Sequence, residues 1–508
     1  MLDLALHVAA ALVGVAVGAV TTLLVTAFRR RTRAKPVAAL QPPALRQPSP
    51  AVPNVYVDTP DGADDPWLQR ALEASRQMQQ ESRHDEAVES LRMALSSATN
   101  DLQRSVLNRR IGNSLMATSQ MEPAMVHYND AVRFAEAAGD VVARAWALGN
   151  RGVAYLQLGD IENAESDLKD ALDVHTKSEN QLGRATALIG LGELYAHVGD
   201  LERAKEDHQE ALDICREIDC RIGEAVALIG LSDVYRRERR TDLAGWQYDQ
   251  ALAINREIGN RLGEAQALGG QGSLYRDMSR VDFAEQRHKQ ALQIQREIGD
   301  RLGEATSLCN LGKVYRRKGD LDRAEEHHKK ALGIYRKIGN RLGEGNAVGN
   351  LGNVDFDRRD LERAEQGYKD ALDIHRDIGN GSGVVYNTAA LGAIAALRAE
   401  SKGDPKEARG LYDEARKLYE EALAICNKVH NAEADHCASE IEVYLLIIRG
   451  EIAYCNGELE ESWRLLKEGL SGCEKLDALE SRKPAARIKE RLLEIDAEIL
   501  AHPPMTRA

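Results

Sequence analysis

The side chains most able to do chemistry in this 508-residue chain are its 13 histidines and seven cysteines, and their spacing limits what they can do. His208, His288 and His328 are separated by multiples of 40 residues. Zinc needs its ligands at about 2.0–2.3 Å from one ion, whereas side chains supplied one per helical unit stand about 8–10 Å apart, the spacing of packed helices. These histidines therefore read as rings filling a seam between helices. Cys215 and Cys220 are followed by no second Cys or His pair at zinc-site spacing. With Cys309, Cys426, Cys437, Cys455 and Cys473 they make an odd, scattered set, expected to be free thiols in a reducing compartment. No Ser/His/Asp constellation, phosphate loop or dinucleotide fingerprint interrupts the chain. The expectation is a protein without catalytic residues, metal or cofactor, and not an enzyme.

What positions these side chains is a period of 40 residues. The segments beginning at Arg221, Arg261, Arg301 and Arg341 read RIGEAVALIG, RLGEAQALGG, RLGEATSLCN and RLGEGNAVGN. Gly272, Gly312 and Gly352 share one register, as do Tyr235, Tyr275 and Tyr315, Ala284, Ala324 and Ala364, and Ala291, Ala331 and Ala371. Within a unit, Leu302, Ala305, Leu308, Leu311 and Tyr315 recur at three and four residues, the buried stripe of a first helix. Gly319 and Asp320 suit a left-handed cap followed by an N-cap, and Leu321, Ala324, His328, Ala331 and Tyr335 mark a second helix. Composition agrees. Only 5% of residues are aromatic, and no proline occurs between Pro123 and Pro405, which excludes collagenous, all-β and wholly disordered chains. The net charge of -13 argues against a general nucleic-acid binder.

Gly312, Tyr315, Ala324, His328 and Ala331 stand where the tetratricopeptide repeat family places a small residue, an aromatic, Ala, an aromatic and Ala. The chain resembles that family. Its 40-residue spacing and the GNLGNV phrase from Gly349 to Val354 are similar to the subclass in G-protein-signalling modulators of the Pins type and to bacterial regulators. The resemblance implies an all-α, right-handed α-solenoid of about ten helix pairs. The array is expected over residues 67–480, with an insertion at 398–408, and residues 481–508 are expected to form a capping helix and tail.

Upstream, residues 4–28 carry no charged side chain apart from a protonatable His7 and are followed by Arg29, Arg30, Arg31, Arg33 and Lys35. A run of this length can span a bilayer, and the basic flank sets its cytoplasmic side. Residues 1–28 are thus expected to be a single transmembrane anchor, 29–66 a Pro-rich disordered linker, and the array cytoplasmic. Ala10, Gly14, Gly18 and Thr22 put small residues on one face of that span, so self-association through Gly14 and Gly18 is expected.

The resemblance also implies which first-helix positions line a concave groove: Arg236, Arg237, Arg276, Asn310, Lys313, Arg316, Arg317, Asn346, Asn350 and Asn353. From Arg221 to Asn340 the chain holds 22 Lys and Arg against 17 Asp and Glu, a positive stretch in an acidic protein. Arginine forks onto carboxylates, and Asn can bond both the N–H and C=O of an extended peptide. The expected function is a membrane-anchored scaffold or adaptor binding an acidic peptide or protein segment in that groove, with no nucleic acid. The alternative is a structural subunit of a membrane complex that uses its convex face or its ends.

Overall fold

Two local signals cut the chain into helices of even length. An Asp or Asn caps one end: Asp300 Oδ1 accepts from the Gly303 N–H at 2.8 Å, and Asp320 Oδ1 from the Arg323 N–H at 3.1 Å. A left-handed residue closes the other. Gly319 has φ 79°, its N–H returns to the Arg316 carbonyl, and the Asp320 N–H returns to the Tyr315 carbonyl, both at 3.0 Å. The computed structural model describes residues 65–80, 84–117, 120–402, 404–427, 432–475 and 482–501. There the pattern yields α1 (Pro66–Gln80), α2 (His84–Ser96), α3 (Asp101–Ala117), α4 (Met121–Ala138), α5 (Val141–Leu158), α6 (Ile161–Lys177) and α7 (Gln181–Val198). It continues through α8 (Leu201–Glu217), α9 (Arg221–Arg237), α10 (Thr241–Glu257), α11 (Arg261–Asp277), α12 (Val281–Glu297), α13 (Arg301–Arg317) and α14 (Leu321–Lys337). Then come α15 (Arg341–Asp357), α16 (Leu361–Asp377), α17 (Gly381–Glu400), α18 (Pro405–Cys426), α19 (Ala432–Cys455), α20 (Leu459–Lys475) and α21 (Arg482–Ala501).

Each odd-numbered helix from α3 to α15 packs against the next helix as the first member of a pair, and the pair stacks on its neighbours. The seam inside a pair is closed by small residues. Within a pair, a Cβ on Gly312 would lie 2.5 Å from His328 Cε1, and between pairs a Cβ on Gly270 would lie 2.2 Å from Tyr248 Cε1, so the ring of one helix rests on the bare backbone of another. Ala324 and Ala331 are fully buried beside it. Between pairs, the Glu of the RLGE phrase forms a clasp. Glu264 accepts from Arg256 at 2.9 Å and Arg261 at 2.5 Å, and Glu344 accepts from Arg336 at 2.9 Å and Arg341 at 2.6 Å. Arg216 and Arg221 clasp Glu224 likewise, and Arg296 and Arg301 clasp Glu304. Burial alone would raise the Glu344 carboxyl, but the Arg336 and Arg341 hydrogen bonds outweigh it and hold the group below its ordinary pKa.

The described residues divide into two compact units, one running from 65 to 388 and the other made mainly of 389–424 and 437–501. The first holds the regular pairs. In the second, Tyr419 stacks on Tyr444 at 5.6 Å, and the buried Glu451 is held by Arg491 at 3.0 Å. Part of the extra stretch near 398–408 lengthens the flanking helices: α17 has 20 residues and α18 has 22, against 17 in α13, and Ser401 and Lys402 lie outside both.

Two expectations are corrected. The span at residues 4–28, with Gly14 and Gly18, lies outside the described residues, as does the linker except for Asp65 and Pro66. Among the described residues no helix is long and apolar enough to cross a membrane. Even the 24-residue α19 carries Glu440, Glu442, Arg449 and Glu451 along its length. Among the described residues the architecture is accordingly an all-α array of helix pairs with no membrane span, in place of a solenoid preceded by a transmembrane helix. The described residues therefore give no support to a single-pass membrane localisation.

Candidate functional site

The positions implied as a groove lie on α9, α11, α13 and α15, the first helices of four consecutive pairs. Consecutive first helices touch each other directly as well as their own partners. Their polar side chains therefore meet across the stack.

The structure joins most of them into one ladder. Arg236 is buried and donates to Asp233 at 3.1 Å on its own helix and to Asp277 at 2.9 Å on α11. Arg237 reaches back to the Ala196 carbonyl on α7. Arg276 donates to Asp277 at 3.1 Å and to Asn310 on α13 at 3.4 Å. Arg316 donates forward to Asp357 on α15 at 3.2 Å, and Arg317 backward to the Arg276 carbonyl at 2.9 Å. Asn350 Nδ2 donates to Cys309 Sγ at 3.3 Å. Asn353 Oδ1 accepts from the Tyr368 and Tyr386 hydroxyls, both at 2.8 Å. Asn310, Asn350 and Asn353 are buried, and Asn346 is half-buried on α15.

The aspartates of this ladder are candidate site residues that reading for basic side chains passes over. Asp233, Asp277 and Asp357 share the first-helix face with the arginines and neutralise part of it. A signal for them is present: residues 237, 277, 317 and 357 alternate Arg, Asp, Arg, Asp. Where the next pair supplies Asp, the arginine one place earlier bonds forward to it. Where it supplies Arg, as at Arg317, that guanidinium turns back to the preceding helix instead.

Positive charge is concentrated around Lys313. Its ammonium is pushed down to about 8, first by burial and further by Arg276 and Arg316, with Cys309 and Asp277 opposing. At the other end of the ladder the sign reverses: burial and then Asp233 push the Glu193 carboxyl well above its ordinary range.

The rings on the second helices form the floor under this face. Tyr248 donates to Asp233 at 2.7 Å, as Tyr368 does to Asn353. His208, His288 and His328 occupy the equivalent places, buried against Gly230, Gly272 and Gly312. Imidazole is shorter than phenol, and neither ring nitrogen of His288 or His328 finds a hydrogen-bond partner. Among the described residues no cluster of three or more His, Cys, Asp or Glu is arranged to hold a metal ion.

Residues 143–217, 183–257, 223–297 and 263–337 match a protein family described as tetratricopeptide repeat, and residues 407–436 match another of the same description. These segments are tetratricopeptide repeats. Solved structures similar to the chain include the Rap protein complexed with competence and sporulation factor, at 14% identity, with 70% of this chain and 99% of that one covered and a TM-score of 0.47. The apo form of the quorum sensor NprR from B. thuringiensis is similar at 15% identity, with 75% and 98% covered and a TM-score of 0.44. Yeast Tom70 is similar at 10% identity, with 86% and 97% covered and a TM-score of 0.37. No curated protein matches the sequence. In these tetratricopeptide repeats the RLGE phrase serves the joint between helix pairs, and the ladder lies on the first helices.

Proposed function

We propose that the array is a non-enzymatic scaffold that binds a protein partner through the first-helix ladder, taking a carboxylate-bearing peptide segment around Lys313. The observation that carries this reading is the crowding of cations there. Lys313 lies close enough to Arg276 and Arg316 for both to depress its pKa, so an incoming anion relieves a repulsion already present in the protein. Asp277 and Asp357 make the site selective. A ligand carboxylate must displace one of them from its guanidinium, which favours a segment with several acidic groups over a single carboxylate. Asn346, on the next first helix, suits the backbone of such a segment.

The test uses fluorescein-labelled decapeptides rich in Asp and Glu, with Lys-rich peptides of the same length as controls. The unaltered protein should bind the acidic set, and Arg316→Glu with Arg317→Glu should weaken that binding at least about tenfold while circular dichroism stays unchanged. Equal binding by the variant removes the ladder from the function. A second reading is favoured by the apolar side chains on the second helices: Trp246 on α10 and Phe283 on α12 are 57% and 56% exposed. Assembly through that outer surface would be lost in Trp246→Ala with Phe283→Ala and indifferent to the charge reversal.

A further inference from the structure

One pair of side chains departs from the polar pattern of the turns. Where each second helix ends, a left-handed residue reverses the chain and brings together the side chains five residues apart on either side of it. In sister copies that pair is polar: Asn260 Nδ2 donates to Asn255 Oδ1 at 2.8 Å, and Asn380 Nδ2 meets His375 Nδ1 at 3.2 Å. At the end of α8 the same two places hold Cys215 and Cys220. The turn is intact. Asp219 has φ 54°, its N–H returns to the Arg216 carbonyl at 3.3 Å, and the Cys220 N–H returns to the Cys215 carbonyl at 2.7 Å. A Cβ on Gly223 would lie 2.5 Å from Cys215 Sγ and 3.2 Å from Cys220 Sγ, so both sulfurs converge on the first turn of α9.

Cys220 also stands at the N-cap of α9, where Asn260, Asp300, Asn340 and Asn380 accept a hydrogen bond from the backbone N–H three residues on. A sulfur in that place is stabilised as the thiolate by the helix N-terminus. The Cys215 thiol and the Gly223 N–H pull Cys220 below the usual thiol range against burial and Asp219, while the Cys220 sulfur and burial push Cys215 up. Cys220 is half-buried and Cys215 buried.

We propose that Cys215 and Cys220 form a reversible dithiol–disulfide couple, in which a hydroperoxide oxidises Cys220 and Cys215 resolves the product. The Cys220 thiolate attacks one peroxide oxygen. An S–O bond forms, the O–O bond breaks, and the departing alkoxide or hydroxide takes up a proton as alcohol or water, leaving a sulfenic acid. Cys215 then attacks that sulfur. The S–S bond forms, the S–O bond breaks, and hydroxide leaves with the Cys215 proton as water. The sulfur pair loses two electrons and the peroxide gains two, and an exogenous thiol reverses the change. The closed loop is of the shortest kind, for which a cross-link stabilises least, so the array persists in both states. What changes is the N-cap of α9, the helix that bears Arg236 and Arg237.

The experiment treats the full-length protein with stoichiometric hydrogen peroxide, followed by alkylation and peptide mass spectrometry. The expected product is a peptide with Cys215 joined to Cys220, two hydrogens lighter and restored by dithiothreitol. Cys215→Ser should leave a dimedone-reactive sulfenic acid at Cys220, and Cys220→Ser, which keeps a capping oxygen, should leave Cys215 unmodified. At pH 7 iodoacetamide should label Cys220 at least about tenfold faster than Cys455, a half-buried thiol that burial and Glu451 push up. Oxidation spread evenly over the thiols, a sulfinic acid at Cys220 with no disulfide, or equal labelling rates would each overturn the proposal.

Discussion

Gly312 and His328 allow the seam between helices to be tested by one mutant cycle. A Cβ on Gly312 would lie 2.5 Å from His328 Cε1, 2.6 Å from Nε2 and 2.7 Å from Nδ1, well inside ordinary contact. The ring is fully buried, so relief of the contact must shift the ring within the core or separate the helices. Such overpacking costs about 1–3 kcal/mol. Against it stands the gain of about 1 kcal/mol from replacing Gly by Ala inside a helix. Gly312→Ala should thus range from neutral to about 2 kcal/mol destabilising in the native background. In a His328→Ala background the obstacle is gone and only the propensity gain remains, so the same substitution should stabilise by about 1 kcal/mol. The coupling is then about 1–3 kcal/mol, and the sign of the Gly312 effect reverses where the native clash exceeds the propensity gain. Urea unfolding followed by circular dichroism measures the four proteins, and hydrogen exchange across α13 and α14 localises the change. Equal effects of Gly312→Ala in both backgrounds, within about 0.5 kcal/mol, would refute the seam argument.

Other consequences are as direct. The rings of His175, His208 and His375 are pushed down to about 4, and that of His288 to about 3, chiefly by burial. Each is neutral when folded and takes up a proton near 6.5 once unfolded, so the stability they contribute is full above that pH and lost as pH falls toward 4; a thermal midpoint unchanged between pH 7 and pH 5 would contradict this. His328→Tyr should raise stability by about 1 kcal/mol, because it removes two unpaired buried nitrogens and sets a phenol oxygen that can accept from Lys313, which stands fifteen residues back where Asn353 stands for Tyr368; a lower urea midpoint would show that the seam cannot hold the longer ring. Glu304→Ala leaves Arg296 and Arg301 without their shared carboxylate and should cost about 1–3 kcal/mol, discounted because both arginines are half-exposed, with faster hydrogen exchange at the α12–α13 joint.

Much of the fold is readable in the letters, because the repeat states each physical requirement several times. Gly339-Asn340 announces a left-handed turn and a cap, and both are found there. The Gly and Ala registers announce a close helix seam, and His208, His288 and His328 lie in it. The candidate site is less readable. Arg236 and Arg316 look like an open basic stripe until the displacement from one pair to the next is known. That displacement sets them against Asp277 and Asp357, each 41 residues on, and no local pattern contains it. Cys215 and Cys220 look unrelated as metal ligands, since their proximity comes from the left-handed Asp219 between them. The added residues near 398–408 read as an inserted segment, and part of them lengthens α17 and α18.

The charge ladder gives the stack a mechanical property. Its rungs run from one first helix to the next, so they act as springs along that side, whereas the seams beneath them are closed by Gly and Ala. At about 1 M salt the screening length falls to about 3 Å, comparable with the rungs themselves. The exposed part of the ladder then slackens while the apolar seams hold. Ionic strength therefore sets the stiffness of the face that would grip a ligand, separately from its effect on the ligand's own charge.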